Sequence, residues 1–238
     1  MSDAPRPIAA YSKTWSRRDL LRIPLLAAPL ASPLAHAPGL ARAAGCDITP
    51  PQTEGPFYMG GMRGVPRPTV PNDLTRVAGS SAAADGEVIW VEGQVKDQDC
   101  RPVAGARVEI WQACATGRYA HPRDGNPAQL DPNFGYFGYA IADSEGRYRF
   151  KTVKPGFYPV GGGWVRPAHI HFRVEVPQSR RLTTQMYFAG DPYQERDGIL
   201  SGLPPAERER VVIPPVRDAA SGENRFRFDL ALAGRTQA

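Results

Sequence analysis

The sequence predicts an all-β protein: an antiparallel β-sandwich with long loops, an irregular N-terminal arm and one short helix. Its 238 residues include 24 glycines and 25 prolines, residue types that favour turns. Between the turns lie about seven short segments with alternating apolar residues, a pattern typical of a sandwich. The apolar content of 42% and charged content of 22% fit a globular domain.

The elements follow one another after the arm. In the last strand, for example, alternate residues from Phe226 to Leu232 share one apolar face. One short helix is predicted at 204–210, because proline is common in a first helical turn. The segment 114–135 lacks such a pattern and reads as a long loop, which in a compact domain is usually functional. Strands are predicted at 87–96, 106–113, 136–143, 146–153, 164–172, 182–188 and 224–232.

Residues 1–44 have the composition of an export signal. Arg17 and Arg18 precede a modestly apolar run from Ile23 to Leu34, and small-residue sites follow at 35–37 and 41–43. The paired arginines are typical of twin-arginine signals. Prolines within the run argue against a membrane-spanning helix, so the mature form is expected to have no integral membrane span. We therefore expect a periplasmic protein with an arm at 45–86 and a β-sandwich domain at 87–238.

An alternative interpretation concerns Cys46. The residues from Ala43 to Cys46 loosely resemble a lipoprotein cleavage box, which would attach a lipid to the Cys46 thiol. Cys46, Cys100 and Cys114 are the three cysteines of the chain, so an oxidising compartment permits one disulfide. The sequence leaves all three pairings open.

The net charge of +5 comes mostly from the leader. Residues 1–43 contain six Lys or Arg and two Asp, which leaves 23 basic and 22 acidic residues in the rest of the chain. We therefore expect no nucleic-acid partner.

The segment from Trp164 to Phe172 contains two histidines that share one strand face. Because side chains alternate along a strand, His169 and His171 point the same way, and the intervening Ile170 points to the core. Two imidazoles on a rigid strand form half of a metal site. Tyr119, in the long loop, and Tyr158, eleven residues before His169, could supply phenolate oxygens, a donor set that suits ferric iron.

Several ordered motifs resemble the intradiol ring-cleavage dioxygenases, and within them the protocatechuate 3,4-dioxygenases. The resemblance runs from about Thr49 to Phe228 and makes 87–238 the catalytic domain. The motifs are Gly117-Arg118-Tyr119-x-His121, Asp131-Pro132-Asn133-Phe134, Lys154-Pro155-Gly156-x-Tyr158-Pro159, Arg166-Pro167-Ala168-His169-Ile170-His171-Phe172 and Thr184-Gln185-Met186-Tyr187-Phe188.

The resemblance implies a non-haem Fe(III) cofactor and cleavage of a catechol-type ring with O2 to a cis,cis-muconate. It implies that Arg166 and Gln185 line the substrate pocket and that Tyr158 is also a catalytic base. His121 is interpreted as supporting the loop. The implied ligands are Tyr119, Tyr158, His169 and His171.

The segment between Tyr158 and His169 departs from the protocatechuate enzymes, because it is short and rich in glycine and has Val160 where they often place tryptophan. Protocatechuate, catechol and hydroxyquinol therefore all stay open as substrates. The chain carries the ligand motifs together with its own Thr53–Tyr58 segment, so a homo-oligomer is expected. Two other functions are alternatives: a transthyretin-like binding module without catalysis and a zinc hydrolase, which would need a further ligand and a glutamate base.

Overall fold

A computed structural model describes residues 45–59, 71–176 and 181–234. These residues form twelve strands, one α-helix and a short 3-10 turn at Gln194–Arg196. The strands are β1 Val88–Lys96, β2 Arg107–Trp111, β3 Phe137–Ile141, β4 Arg147–Val153, β5 Tyr158–Gly161, β6 Trp164–Arg166, β7 His169–Glu175, β8 Arg181–Phe188, β9 Val212–Ile213, β10 Val216–Arg217, β11 Asn224–Arg227 and β12 Leu230–Ala231, and the helix is α1 Pro205–Val211. The predicted export signal lies outside the described residues.

Two five-stranded sheets and one two-stranded hairpin make up the fold. In the first sheet, β1 lies at the centre and pairs with β4, β11 and β12, while β10 extends the sheet beyond β11. The second sheet has the order β3-β2-β7-β8-β9. The hairpin consists of β5 and β6. The predicted all-β sandwich with a single short helix is confirmed.

Most neighbouring strands are antiparallel, as predicted, but three short pairings are parallel. β11 and β12 run parallel to β1, and β9 runs parallel to β8. Parallel pairing requires a connection of a dozen or more residues, and the chain between β1 and β11 far exceeds that length. The alternation of apolar residues indicates the buried face of a strand but not its direction.

Two predicted strands are each divided in two. Pro167 separates β6 from β7, since proline lacks the N–H that a continuous ladder needs. Asp229 separates β11 from β12, because its carboxylate, rather than a backbone carbonyl, accepts the Gln94 N–H at 3.1 Å. Tyr158, outside the predicted strands, begins β5 and pairs with Arg166 across the hairpin.

The main core lies between the two sheets. On β7, Ile170, Phe172 and Val174 are fully buried in this core, as the alternation predicts. His169 and His171 point to the opposite face of the second sheet, away from the main core. A smaller apolar cluster covers that face and consists of Tyr58, Trp111, Ala113, Tyr119, Phe137 and Tyr158.

The arm is held to the sandwich at its start. A disulfide joins Cys46 to Cys100, which settles the open pairing and leaves Cys114 as a buried free thiol. Farther along, the Thr49 N–H donates to the Ala231 carbonyl at 3.0 Å and the Gln52 N–H to the Thr183 carbonyl at 2.8 Å. Among the residues described here, no helix is long and apolar enough to cross a membrane.

Candidate metal centre

The two histidines of β7 converge on one point. His169 and His171 are each only 2% exposed, and their Nε2 atoms lie 3.2 Å apart. The His169 Nδ1–H donates to the Pro167 carbonyl at 2.7 Å. That hydrogen bond fixes the tautomer and leaves the His169 Nε2 lone pair directed toward His171, which is the arrangement of a metal-ligating histidine.

Neighbouring residues hold the His171 ring in place. Trp111 pairs with His171 across β2 and β7, and its ring stacks on the imidazole with centroids 4.8 Å apart and planes 9° apart. Gly55 of the arm approaches the same ring, since a Cβ on Gly55 would lie 3.3 Å from the His171 Cε1. The strand and the arm together therefore restrict the imidazole.

The two tyrosines enter from different elements and meet the histidines. Tyr158, at the start of β5, places its Oη 3.5 Å from the His169 Nε2. The Tyr119 ring lies perpendicular to the Tyr158 ring, with centroids 5.6 Å apart, and 6.4 Å from the His171 ring. Both tyrosines are at most 5% exposed. The four predicted ligand residues are thus brought together.

A tight turn positions Tyr119. Gly117 has φ of +86°, and a Cβ there would collide with the Phe157 carbonyl oxygen. Glycine is therefore required at this point, both for the left-handed backbone and for the close approach. The Tyr119 N–H donates to the Asp124 carboxylate at 2.6 Å, which holds the following loop against the turn.

The pKa values of the four side chains are shifted in the directions that favour their neutral forms. Burial raises the pKa of both Tyr119 and Tyr158 above that of an exposed phenol. Burial, and then the nearby Arg166 guanidinium, lowers the pKa of His169 and His171, so both imidazoles are neutral. Neutral imidazole is the ligand form, and a bound cation would favour the ionised phenolates that burial opposes.

The donor chemistry fits a hard, highly charged metal ion. In the part of the chain that the structure describes, the buried Tyr119 Oη has no hydrogen-bond partner. Over the same residues, no group of three or more His, Cys, Asp or Glu side chains is placed to hold a metal. The set of two phenol oxygens and two imidazole nitrogens therefore fits ferric iron, whereas the zinc hydrolase would need a further nitrogen, sulfur or carboxylate ligand.

Arg166 and Gln185 lie beside this centre and contact each other. Gln185 is opposite His171 across β7 and β8. The Arg166 Nη2 donates to the Gln185 Oε1 at 2.6 Å, and both side chains are buried. The Gln185 Nε2 in turn donates to the Thr53 carbonyl of the arm at 3.0 Å. These hydrogen bonds connect Arg166 to Gln185 and Gln185 to the arm.

Asp197 and Tyr187 also belong to the site, although neither was predicted as a site residue. The fully buried Asp197 accepts the Arg166 Nε–H at 2.6 Å and the backbone N–H groups of Ile199 and Leu200 at 2.8 and 2.7 Å. The Tyr187 hydroxyl donates to the Gln52 Oε1 at 2.9 Å and lies 3.5 Å from the Arg166 Nη2. Tyr187 belongs to the Thr184–Phe188 motif, which was a signal for it, whereas nothing in the pattern indicated Asp197.

The arm also covers the centre, which the prediction of an irregular segment did not include. The Phe57 ring lies 4.5 Å from the Tyr119 ring and 5.5 Å from the His121 ring. His121 is buried, and its Nδ1 accepts the Arg123 N–H at 3.1 Å. These contacts fit the predicted role of His121 in supporting the loop.

The chain is similar to known dioxygenases in sequence and in fold. The family model described as Dioxygenase matches residues 54–234. The protocatechuate 3,4-dioxygenase beta chain of Burkholderia cepacia is 44% identical over 170 residues, which cover 69% of this chain and 72% of that one. A catechol 1,2-dioxygenase of Pseudomonas sp. (strain EST1001) is 35% identical over 166 residues, which cover 63% of this chain and 50% of its own length. The solved catechol 1,2-dioxygenase of Pseudomonas arvilla C-1 superposes with a TM-score of 0.60 at 29% identity, over 81% of this chain and 63% of that structure.

Proposed function

The chain belongs to the intradiol ring-cleavage dioxygenases, and from this membership we propose that it opens a catechol-type ring between its two hydroxyl groups with O2. The cofactor would be the non-haem ferric iron that the family uses. The product would be a cis,cis-muconate. Protocatechuate or a related diol is the proposed substrate, with catechol and hydroxyquinol as alternatives within the same reaction.

The observation that carries the proposal is the convergence of four donors of the right chemistry. The two histidine Nε2 atoms are 3.2 Å apart and the Tyr158 Oη is 3.5 Å from one of them. The binding-module alternative does not account for two neutral imidazoles and two phenols gathered in a buried site. Four residues would hold the ion, namely Tyr119, Tyr158, His169 and His171.

When bound, the ferric ion would supply the Lewis acidity that lets both hydroxyl groups of the diol lose their protons. Tyr158 would accept one of these protons at its Oη, which makes it both a ligand and a base. Its position supports this role, because it is the first residue of the β5–β6 hairpin and lies opposite Arg166.

Arg166 would stabilise negative charge on the reacting ring. Its guanidinium is held by Asp197 and Gln185, each at 2.6 Å, so it needs no reorganisation when charge develops. Gln185 would orient the guanidinium from one side and bind the arm on the other. The aromatic cover of Phe57 and Trp111 would exclude bulk water from the centre.

We also propose export to the periplasm and assembly as a homo-oligomer. The Cys46–Cys100 disulfide supports an oxidising compartment. A Cys46 sulfur in this disulfide is not available for a lipid, which argues against the lipoprotein alternative. N-terminal sequencing of the secreted protein tests the export, with a start near Ala44 expected. The molar mass in solution tests the oligomer.

The activity is tested with iron-loaded protein and a panel of catechol, protocatechuate, hydroxyquinol and chlorinated catechols. We expect oxygen uptake with at least one of them and one O2 consumed per ring opened. Phenolate ligation should also give the iron-loaded protein a wine-red colour. An iron-replete protein that is colourless and consumes no oxygen with any diol would contradict the proposal.

A further inference from the structure

A cavity of about 410 Å³ opens at the glycine-rich end of the β5–β6 hairpin. Its volume falls within the range of about 300–1,000 Å³ typical of small-molecule sites. None of the four proposed ligands lines it. The hairpin forms one wall through residues 162–165, and Tyr193, Arg196 and Gly198 form the other.

The cavity adjoins the side chains that hold Arg166. Trp164 and Arg166 lie on the same face of β6, and the guanidinium carbon is 5.8 Å from the Trp164 ring centroid. On the opposite wall, Arg196 and Gly198 flank Asp197, which binds the Arg166 guanidinium at 2.6 Å. Each wall therefore contains a residue that contacts Arg166 or is adjacent in sequence to Asp197, the residue that binds it.

The walls are apolar and leave the space open. Trp164, in the wall, is 37% exposed, and Val160 and Phe157, on the same segment but outside the lining, are 45% and 51% exposed. The Phe157 ring packs on the Tyr193 ring at 4.6 Å. At Gly162 and Gly163 a Cβ would meet nothing within 4 Å, so the tip of the hairpin does not fill the cavity. An apolar group of several atoms could therefore be accommodated.

Arg196 gives the cavity a positive charge. Among the described residues that line the cavity, it is the one charged side chain, and it is exposed to solvent. It stands in the 3-10 turn Gln194–Arg196, directly before Asp197. An anionic group at the end of an apolar extension would meet the guanidinium and still contact the aromatic walls.

We propose that this cavity is a substrate subsite for catechols whose ring carries an extension of several atoms ending in a carboxylate. The aromatic walls contact the extension and Arg196 binds the carboxylate. The inference rests on the proposed function, because the diol end of the same molecule must reach the metal centre. It narrows the substrate class from catechols in general to catechols with an acidic side chain.

The charge is tested with 3-(3,4-dihydroxyphenyl)propanoate and its primary amide, which differ in charge but hardly in shape. The measured quantity is the ratio of kcat/KM for the acid to kcat/KM for the amide in iron-loaded protein. Arg196→Gln should lower this ratio about fivefold, the size of an exposed ion pair. Arg76→Gln removes the same charge from an exposed arginine that does not line the cavity, so its ratio should equal that of the wild type.

The space is tested with Gly198→Leu. Gly198 has no left-handed φ, and a Cβ there would lie 4.0 Å from the Trp164 Cζ2, so the leucine projects into the cavity without backbone strain. The ratio of kcat/KM for the extended acid to that for unsubstituted catechol should fall at least about tenfold. An equal loss for both substrates would contradict the subsite.

A binding measurement separates this inference from the proposed function. The monophenol 3-(4-hydroxyphenyl)propanoate lacks the second hydroxyl of a catechol, so it is not cleaved, and its binding is measured by isothermal titration calorimetry. It should bind more tightly than its amide, and Arg196→Gln should abolish the difference. If catechol is cleaved but neither extended acid is preferred over its amide, the subsite is refuted while the dioxygenase stands. If no diol is cleaved, the proposed function fails instead.

Discussion

At the scale of single residues, the position of Arg166 depends on its buried ion pair with Asp197. Asp197 is 0% exposed and uses one carboxylate oxygen for the guanidinium and the other for two backbone N–H groups. A buried guanidinium that loses its carboxylate retains an uncompensated charge, which is costly. Asp197 therefore acts as a positioning residue for Arg166.

Asp197→Asn tests this role. The amide oxygen can still accept hydrogen bonds, but the charge that holds the guanidinium is lost. We expect kcat to fall about 10- to 100-fold because Arg166 is no longer fixed, with KM changed much less. Iron content, measured by atomic absorption, should stay at the wild-type level.

The control for this variant is Asp143→Asn, which removes a carboxylate of an exposed ion pair with Arg147. It should leave kcat and iron content unaltered. If Asp197→Asn lowers kcat and iron content in parallel, the residue supports the fold of the centre rather than the orientation of Arg166.

Tyr158→Phe and His171→Ala separate the two kinds of ligand. Tyr158→Phe should retain iron through the remaining donors and slow the deprotonation of the diol, so turnover falls while the metal content persists. His171→Ala should lose iron, since the alanine leaves one imidazole in the site. Stopped-flow absorbance and metal analysis report the two effects.

Tyr139→Phe serves as the matched tyrosine control, because Tyr139 stacks under the Arg107 guanidinium on β3, away from the centre. It should behave as the wild type in both measurements. Undiminished turnover in Tyr158→Phe would contradict the role of Tyr158 as a base. Full iron occupancy in His171→Ala would contradict the role of His171 as a ligand.

The residues of the site differ in how far the sequence could predict them. The shared face of His169 and His171 follows from the period of two along a strand. Tyr119 and Tyr158 follow from the family motifs, and no local pattern distinguishes them from the other seven tyrosines. Asp197 reaches Arg166 across 31 residues of chain, a pairing that depends on how the hairpin packs on the 194–198 turn and leaves no periodic signal.

At the level of secondary structure, strand positions were predicted better than strand ends and partners. β1, β2, β4 and β8 occupy the segments where alternation placed them. Pro167 and Asp229 interrupt two predicted strands, since hydrogen bonding rather than hydropathy decides where a ladder stops. β5 was not predicted, because it has little apolar alternation and depends on its pairing with β6, which lies within the predicted strand 164–172.

The turn before Tyr119 provides a test at this level. Gly117→Ala would place a Cβ against the Phe157 carbonyl oxygen in a left-handed backbone, so the loop must shift. We expect a loss of about 2–4 kcal/mol in the free energy of unfolding, more than the left-handed backbone alone costs. Denaturant unfolding gives the stability, and metal analysis should show reduced iron because Tyr119 moves with the turn.

Gly105→Ala is the matched control for that variant. Gly105 also has a positive φ, of +71°, but a Cβ there would meet nothing within 4 Å. It should cost only the left-handed strain, about 1–2 kcal/mol, and leave iron content unchanged. Equal losses in the two variants would show that the contact with Phe157 contributes nothing.

At the scale of the whole molecule, the arm connects the disulfide to the metal centre. Its first described part, 45–59, is joined at Cys46 to Cys100, is hydrogen-bonded to Ala231 and Thr183, and packs Phe57 against Tyr119. The sequence indicated an irregular segment here, because prolines and glycines carry no strand pattern. Its function as a cover could not be predicted, since it depends on contacts between residues more than 100 positions apart, such as Thr53 and Gln185.

The disulfide should therefore affect both stability and retention of iron. It closes a loop with a sequence separation of 54, for which the chain-entropy model gives about 4 kcal/mol. In the double variant Cys46→Ser, Cys100→Ser, we expect a lower Tm and faster transfer of iron to a chelator, because an arm without its anchor uncovers the centre more often. Treatment of the iron-free wild type with a reductant should lower its Tm in the same way. Cys114→Ala is the control: it keeps the disulfide, so its iron should leave at the wild-type rate. If the double variant has a lower Tm but releases iron at the wild-type rate, the anchor stabilises the fold without controlling access to the centre.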